Sequence, residues 1–233
     1  MICRVMKSEA PIGLLGGTFD PIHFGHLRLA EEARESLGLA QLRLIPAGEP
    51  PHRGSPRSPA THRLAMAQRA VADNPALVVD DLEIRHDGPS YSVLTLERLR
   101  AQLGPHQSLV LILGADAFEG LATWHRWEEI FGLAHIAVAN RPGYAPHGRR
   151  WPQVLSADLS RACEGRMLKS AEALRTQPAG GILPFDMTPL AISATLIRDL
   201  LGHGHSARYL LPDPVLDYIA AHNLYRSDAD TGV

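Results

Sequence analysis

The stretch Gly16-Gly17-Thr18-Phe19-Asp20-Pro21-Ile22-His23-Phe24-Gly25-His26 gathers residue types that can do chemistry on an anion. Two adjacent glycines let the backbone turn sharply and approach a ligand closely. Asp20-Pro21 reads as a helix entry, with the carboxylate as a cap and proline at the first helical position. His23 and His26, three residues apart, then share one face of the first turn. Free N–H groups and the helix dipole favour negative charge there. Gly25 removes a side chain that would crowd a bound base or phosphate. The set amounts to a phosphate cradle with two donors aimed at developing negative charge. It is neither the G-x-x-x-x-G-K-[ST] loop nor the G-x-G-x-x-G loop. No further His, Cys or carboxylate stands at metal-motif spacing to the two histidines, so a metal site held by the protein is not expected.

A second phosphate-suited stretch is Ile192-Ser193-Ala194-Thr195-Leu196-Ile197-Arg198. Ser193 is a good N-cap, and Leu196, Ile197, Leu200 and Leu201 are expected to supply the buried stripe. Thr195 and Arg198 are then i, i+3 neighbours near a helix N-terminus, where charge-assisted bonds to phosphate are favourable. Between the two stretches lie Pro50-Pro51-His52-Arg53, Gly114-Ala115-Asp116 after a buried run, Trp124-His125-Arg126-Trp127, and Arg141-Pro142-Gly143.

Taken together these segments resemble the nucleotidyltransferase superfamily with an H-x-G-H motif, in its bacterial nicotinate-nucleotide adenylyltransferase form. The resemblance covers most of residues 12–222 and is least in the polar part near 145–180. It implies that His23 and His26 bind ATP phosphates and stabilise the transferring α-phosphate. Ile192, Ser193, Thr195 and Arg198 match the family's I-S-x-T-x-x-R element, which holds the β- and γ-phosphates. The ATP site so implied comprises Gly16, Gly17, Thr18, Phe19, His23, Gly25, His26, Gly114, Asp116, Ile192, Ser193, Thr195 and Arg198, with His23, His26 and Arg198 catalytic. His52, Arg53, Ser92, Trp124, His125 and Arg141 are the implied acceptor contacts. Arg53 stands where the family has Lys, and Ser92 where it has Thr. Leu94 and Ala191 replace acids that are usual there. The implied reaction transfers the adenylyl group of ATP to nicotinate mononucleotide, with Mg2+ carried by ATP. Nicotinamide mononucleotide, another phosphorylated acceptor, or a non-catalytic nucleotide sensor are the alternatives.

These residues need a scaffold, and the hydrophobic pattern supplies one. Short apolar runs at Ile12–Leu15, Leu42–Ile45, Leu77–Val79, Leu109–Leu113, Ile136–Ala139 and Ile182–Phe185 read as buried strands. Helical periods are expected over His23–Leu37, Pro59–Ala72, Tyr91–Leu103, Ala194–Leu201 and Pro214–His222. One more helix is expected at Ser160–Leu174, inside a polar excursion over 142–181. Strands alternating with helices predict an α/β fold with a parallel sheet covered on both faces. With the resemblance, this is a Rossmann-like three-layer sandwich with a mostly parallel central sheet. Ligands in such sheets bind beyond the carboxyl ends of the strands, which is where Gly17-Thr18, Pro46, Gly114-Asp116 and Asn140-Arg141 fall.

The chain has 233 residues, 45% apolar, with a formal charge of −2. That suits a single domain over residues 1–233, with its core over about 12–222. No basic face offers itself to nucleic acid or to anionic lipid. No apolar run approaches the ~18 residues of a membrane helix, and residues 1–10 lack a signal-peptide h-region. Cys3 and Cys163 build no disulfide framework, so a cytoplasmic location is expected. Whether the chain is a monomer or a homo-oligomer is left open.

Overall fold

A computed structural model describes residues 10–50, 55–140 and 155–226. Six strands form one parallel sheet in the order β3-β2-β1-β4-β5-β6. They are β1 (Ile12–Gly17), β2 (Gln41–Pro46), β3 (Leu77–Val79), β4 (Leu109–Gly114), β5 (His135–Asn140) and β6 (Ile182–Asp186). This is the doubly wound order, with its switch point between β1 and β4. There Ile12 pairs with Leu109 and Leu14 with Leu111. Farther along, Gly114 pairs with Ala139 and Asn140 with Asp186. Leu109 to Leu113 and Ile136 to Ala139 are buried throughout, which is why they read as unbroken apolar runs.

The helices are α1 (Phe24–Ser36), α2 (Ala60–Ala70), α3 (Ser92–Leu103), α4 (Ala115–Glu119), α5 (Ile130–Leu133), α6 (Ala157–Cys163), α7 (Ala194–Gly202) and α8 (Asp213–Ala221). Three expectations need correcting. Helix α1 begins at Phe24, so Asp20-Pro21 lies outside it, joined by a cis peptide bond. The helix expected over Ser160–Leu174 is two pieces, α6 and a 3-10 turn at Ala171–Arg175. Ser156 caps α6 through Leu159 N–H, and the chain leaves it at Gly165, whose φ is +72°. In α7 only Ile197 is fully buried, while Leu196 is 41% exposed. The segment between β4 and β5, for which periodicity announced nothing, folds as α4, α5 and two 3-10 turns.

The chain divides into two compact units, each assembled from separate segments. The first takes the described residues of 1–15, 32–43 and 91–188. Its apolar centre includes Leu96, Leu99, Leu111, Phe118, Ile130 and Ile136. Arg100 closes one side, its guanidinium donating to the carbonyls of Leu133, Gln107 and Pro178. The second unit takes those of 16–31, 44–90 and 189–233. It buries Phe19, Ile22, Met66, Ile197, Val215 and Ile219. Among the described residues no helix is long and apolar enough to cross a membrane.

Candidate active site

In the second unit the first phosphate stretch folds back on itself at the end of β1. A Cβ on Gly17 would stand 2.7 Å from the Phe19 ring, so a side chain there would displace that ring. Phe19, buried and at φ +49°, meets the edge of His26 at 5.0 Å. His23 caps α1 with its main chain. Its carbonyl accepts from the N–H groups of His26 (2.9 Å) and Leu27 (3.2 Å). Its own N–H donates to Nδ1 of His26 at 3.3 Å, and the two imidazoles stack with centroids 3.8 Å apart. Accepting at Nδ1 leaves the neutral His26 ring with its proton on Nε2, where it is a donor.

His23 is only 5% exposed, and its Nδ1 is buried with no hydrogen-bond partner. Burial lowers its pKa to about 4, because the cation is disfavoured away from water. At neutral pH it is therefore an uncharged imidazole. A Cβ on Gly25 would stand 3.0 Å from the His23 ring and press on it.

The second stretch arrives at the same place. The Ile192 carbonyl lies 3.6 Å from where a Cβ on Gly25 would be. Ser193 Oγ accepts from Leu196 N–H at 3.1 Å, the expected N-cap. Arg198 donates to Thr195 Oγ1 (3.2 Å) and to the Asp20 main-chain carbonyl (2.7 Å). Its Nε is buried and unpartnered. Two phosphate-suited donors of separate stretches thus each carry a buried nitrogen with nothing to bond, a costly condition unless a ligand supplies the partner.

Three contributors to this arrangement have partners that the motif reading did not give. The Asp20 carboxylate caps no helix; it accepts from Arg57 N–H and from the Tyr225 hydroxyl. Arg63 is 1% exposed and donates to the carbonyls of Ser58 (3.2 Å), Thr18 (2.8 Å) and Gly48 (3.0 Å), joining the chain leaving β1 to that leaving β2. Its signal was available, because Arg63 shares the buried face of α2 with Met66 and Ala67. Ser90 Oγ accepts from Gly48 N–H and Glu49 N–H, holding the loop that leads to Pro50.

The first unit holds other expected contacts. Gly114 ends β4 and Asp116 lies exposed in the first turn of α4. Ser92 opens α3. The ring of Tyr91 stacks on His125 at 4.4 Å. Trp124 is half-buried, and its N–H donates to the Leu121 carbonyl at 2.9 Å. Arg126, at φ +51°, is held by Glu97 (2.7 Å) and Glu129. His52, Arg53 and Arg141 lie outside the described residues.

Comparison with known proteins gives the family. The family model described as cytidylyltransferase-like matches residues 14–200. A Dechloromonas aromatica chain named "Probable nicotinate-nucleotide adenylyltransferase" is 56% identical over 217 residues, covering 93% of this chain and 98% of its own. An Acidithiobacillus ferrooxidans chain of the same name is 50% identical over 215 residues, covering 92% and 95%. The solved Plasmodium falciparum nicotinic acid mononucleotide adenylyltransferase complexed with NaAD superposes with a TM-score of 0.68 at 15% identity, covering 93% and 98%. At that identity the likeness speaks for the fold. Identity of 50–56% over nearly the full length of both chains speaks for more: the chain belongs to the cytidylyltransferase-like family and, within it, to the nicotinate-nucleotide adenylyltransferases.

Proposed function

We propose that this enzyme transfers the adenylyl group of ATP to nicotinate mononucleotide, forming the deamido dinucleotide and releasing pyrophosphate. An oxygen of the acceptor's 5′-phosphate bonds to the α-phosphorus. The bond from that phosphorus to the α,β-bridging oxygen breaks, and its electron pair leaves with pyrophosphate. The acceptor phosphate is ionised at neutral pH, so no strong base is required. Positioning and charge stabilisation carry the rate. The observation that carries the reading is the pair of buried, unpartnered nitrogens, His23 Nδ1 and Arg198 Nε, on two stretches that meet at Gly25.

In this reading Arg198 and Thr195 hold the β- and γ-phosphates at the start of α7. His26 donates from Nε2 to the α-phosphate as charge grows on it, and His23 supports the same group from its neutral ring. Leu196 offers exposed apolar surface at the same helix start for adenine. Asp116, at the end of β4, helps hold the nucleotide. A divalent ion, magnesium, travels with the triphosphate. Its ligands in this reading are triphosphate oxygens and water. For the acceptor, Trp124 gives its ring to the pyridine. Its N–H is already given to Leu121, so the nicotinate carboxylate draws on His125 N–H and the Ser92 hydroxyl. His52, Arg53 and Arg141 are further acceptor contacts, and the enzyme works in the cytoplasm.

The test is pyrophosphate release with Mg-ATP, offering nicotinate mononucleotide, nicotinamide mononucleotide and 4′-phosphopantetheine at matched concentrations. Strong preference for the nicotinate form is expected. Preference for either other acceptor overturns the assignment, and absence of release with all three overturns the reaction.

A further inference from the structure

Asp20 is a junction in the second unit to which the transfer chemistry itself assigns no task. Its side chain is 5% exposed. Oδ2 accepts from Arg57 N–H at 2.7 Å, on the chain that returns after the Pro50-Pro51-His52-Arg53 segment. Oδ1 accepts from the Tyr225 hydroxyl at 2.6 Å, across 205 residues of sequence. Its main-chain carbonyl accepts from Arg198 at 2.7 Å. One residue therefore links the H-x-G-H loop, the return from the acceptor segment, the second phosphate stretch and the C-terminal end of the described chain.

Tyr225 is built for more than covering apolar surface. Its backbone sits at φ +65°, a conformation that a bulky residue holds only where its surroundings impose it. Its carbonyl lies 3.4 Å from where a Cβ on Gly202, the last residue of α7, would stand. Thus one residue touches the far end of the helix that carries Arg198 and the loop that Arg198 grips. Its hydroxyl also bonds the Ser58 side chain. Burial, then the bond to the Asp20 carboxylate, pushes the phenol pKa above its ordinary value, so the hydroxyl remains a donor.

We infer that Tyr225 is a positioning residue of the transfer reaction: its hydroxyl orients Asp20, and Asp20 sets the Arg198 guanidinium that receives the triphosphate. This rests on the adenylyl-transfer reading above. A tail that merely covered the core would need the ring alone. Here the hydroxyl is spent on a buried carboxylate whose own backbone holds the arginine.

Tyr225→Phe in the full chain keeps the ring and removes the donor. With folding verified by circular dichroism and thermal unfolding, calorimetry with inorganic triphosphate and with Mg-ATP reads the effect on the phosphate site directly. About tenfold weaker binding of both is expected, the size of one lost bond to a charged group. KM for ATP should rise with it, while KM for nicotinate mononucleotide stays within twofold. Affinities within twofold of wild type, whatever the melting temperature, overturn the inference. So does a joint rise of both KM values, which marks general loosening. Should Tyr225→Phe fail to fold, Asp20→Asn decides. Its amide cannot accept from both Arg57 N–H and Tyr225, so it should show the same selective loss, and unchanged triphosphate affinity overturns the role. If the wild type releases no pyrophosphate with nicotinate mononucleotide, the transfer reading fails separately, and triphosphate affinity still decides on Tyr225.

Discussion

His23 and His26 stack with ring planes 24° apart and centroids 3.8 Å apart, and the main-chain N–H of one is spent on the ring nitrogen of the other. Two imidazoles so placed cannot both be cations at modest cost, because like charges at that distance repel strongly. Burial keeps His23 neutral, and a His26 ring that accepts at Nδ1 is not a cation either. In the proposed reaction the pair would therefore meet a phosphate through directed N–H bonds more than through net charge. The positive charge that the proposal needs is then left to Arg198 and to an ion carried by ATP.

In the proposed transfer, His26→Ala removes a donor aimed at charge that develops on the α-phosphate. Turnover in a steady-state pyrophosphate assay should fall by about 10²–10³ with KM for ATP little changed. A loss below tenfold in a folded protein would remove His26 from its catalytic role.

The buried His23 also makes stability depend on pH. Its pKa is about 4 in the folded chain against about 6.5 unfolded. Between those values the unfolded state binds more protons, so stability rises with pH there. The contribution is complete above about pH 6.5 and is lost as pH falls toward 4. His135 is shifted in the same direction by burial, so the measurement is a difference. Urea unfolding of wild type and His23→Asn between pH 4 and 7 should show a shallower slope for the variant. Parallel curves would mean that His23 is not buried neutral.

Gly25→Ala separates helix propensity from the site. Alanine should favour α1 by up to about 1 kcal/mol, yet its Cβ would press on the His23 ring at 3.0 Å. The melting temperature should change little, while kcat/KM for ATP falls tenfold or more, since small misplacements of reacting groups are costly. Activity within twofold of wild type would show that the ring yields freely.

Arg63 is a structural clamp with three carbonyl acceptors. Arg63→Met leaves those carbonyls without the donor and Asp20 without a nearby cation that it faces electrostatically. A cost of about 3–5 kcal/mol is expected, or a fall in Tm of roughly 6–20 °C for a chain of this size. Arg63→Lys should recover only part of it, because an ammonium lacks the planar fork. Full recovery by lysine would reduce the residue to a point charge.

Much of the site was legible because its parts are local. The i, i+3 spacing of His23 and His26 puts them on one face in any helical turn, and Ser193 caps α7 as its position implies. Where local reasoning failed, a longer-range partner had won. Asp20-Pro21 has the chemistry of a helix start, but the carboxylate does better against Arg57 and Tyr225, so α1 begins later at Phe24. Leu196 has the spacing of a core residue and remains exposed, because which face of α7 is covered depends on what packs there.

By itself the sequence determined the alternation of strands and helices and the parallel sheet, and it singled out the two stretches on which the proposed phosphate site rests. Each follows from periods and spacings of a few residues, which backbone geometry converts directly into faces and turns. Only the tertiary structure decided that Arg198 grips the carbonyl of Asp20, 178 residues away, that Arg63 joins two strand ends, and that Tyr225 closes the group. Those contacts depend on how the crossovers bring distant segments together, and hydrophobic spacing along the chain carries no record of which polar groups will meet once water is excluded.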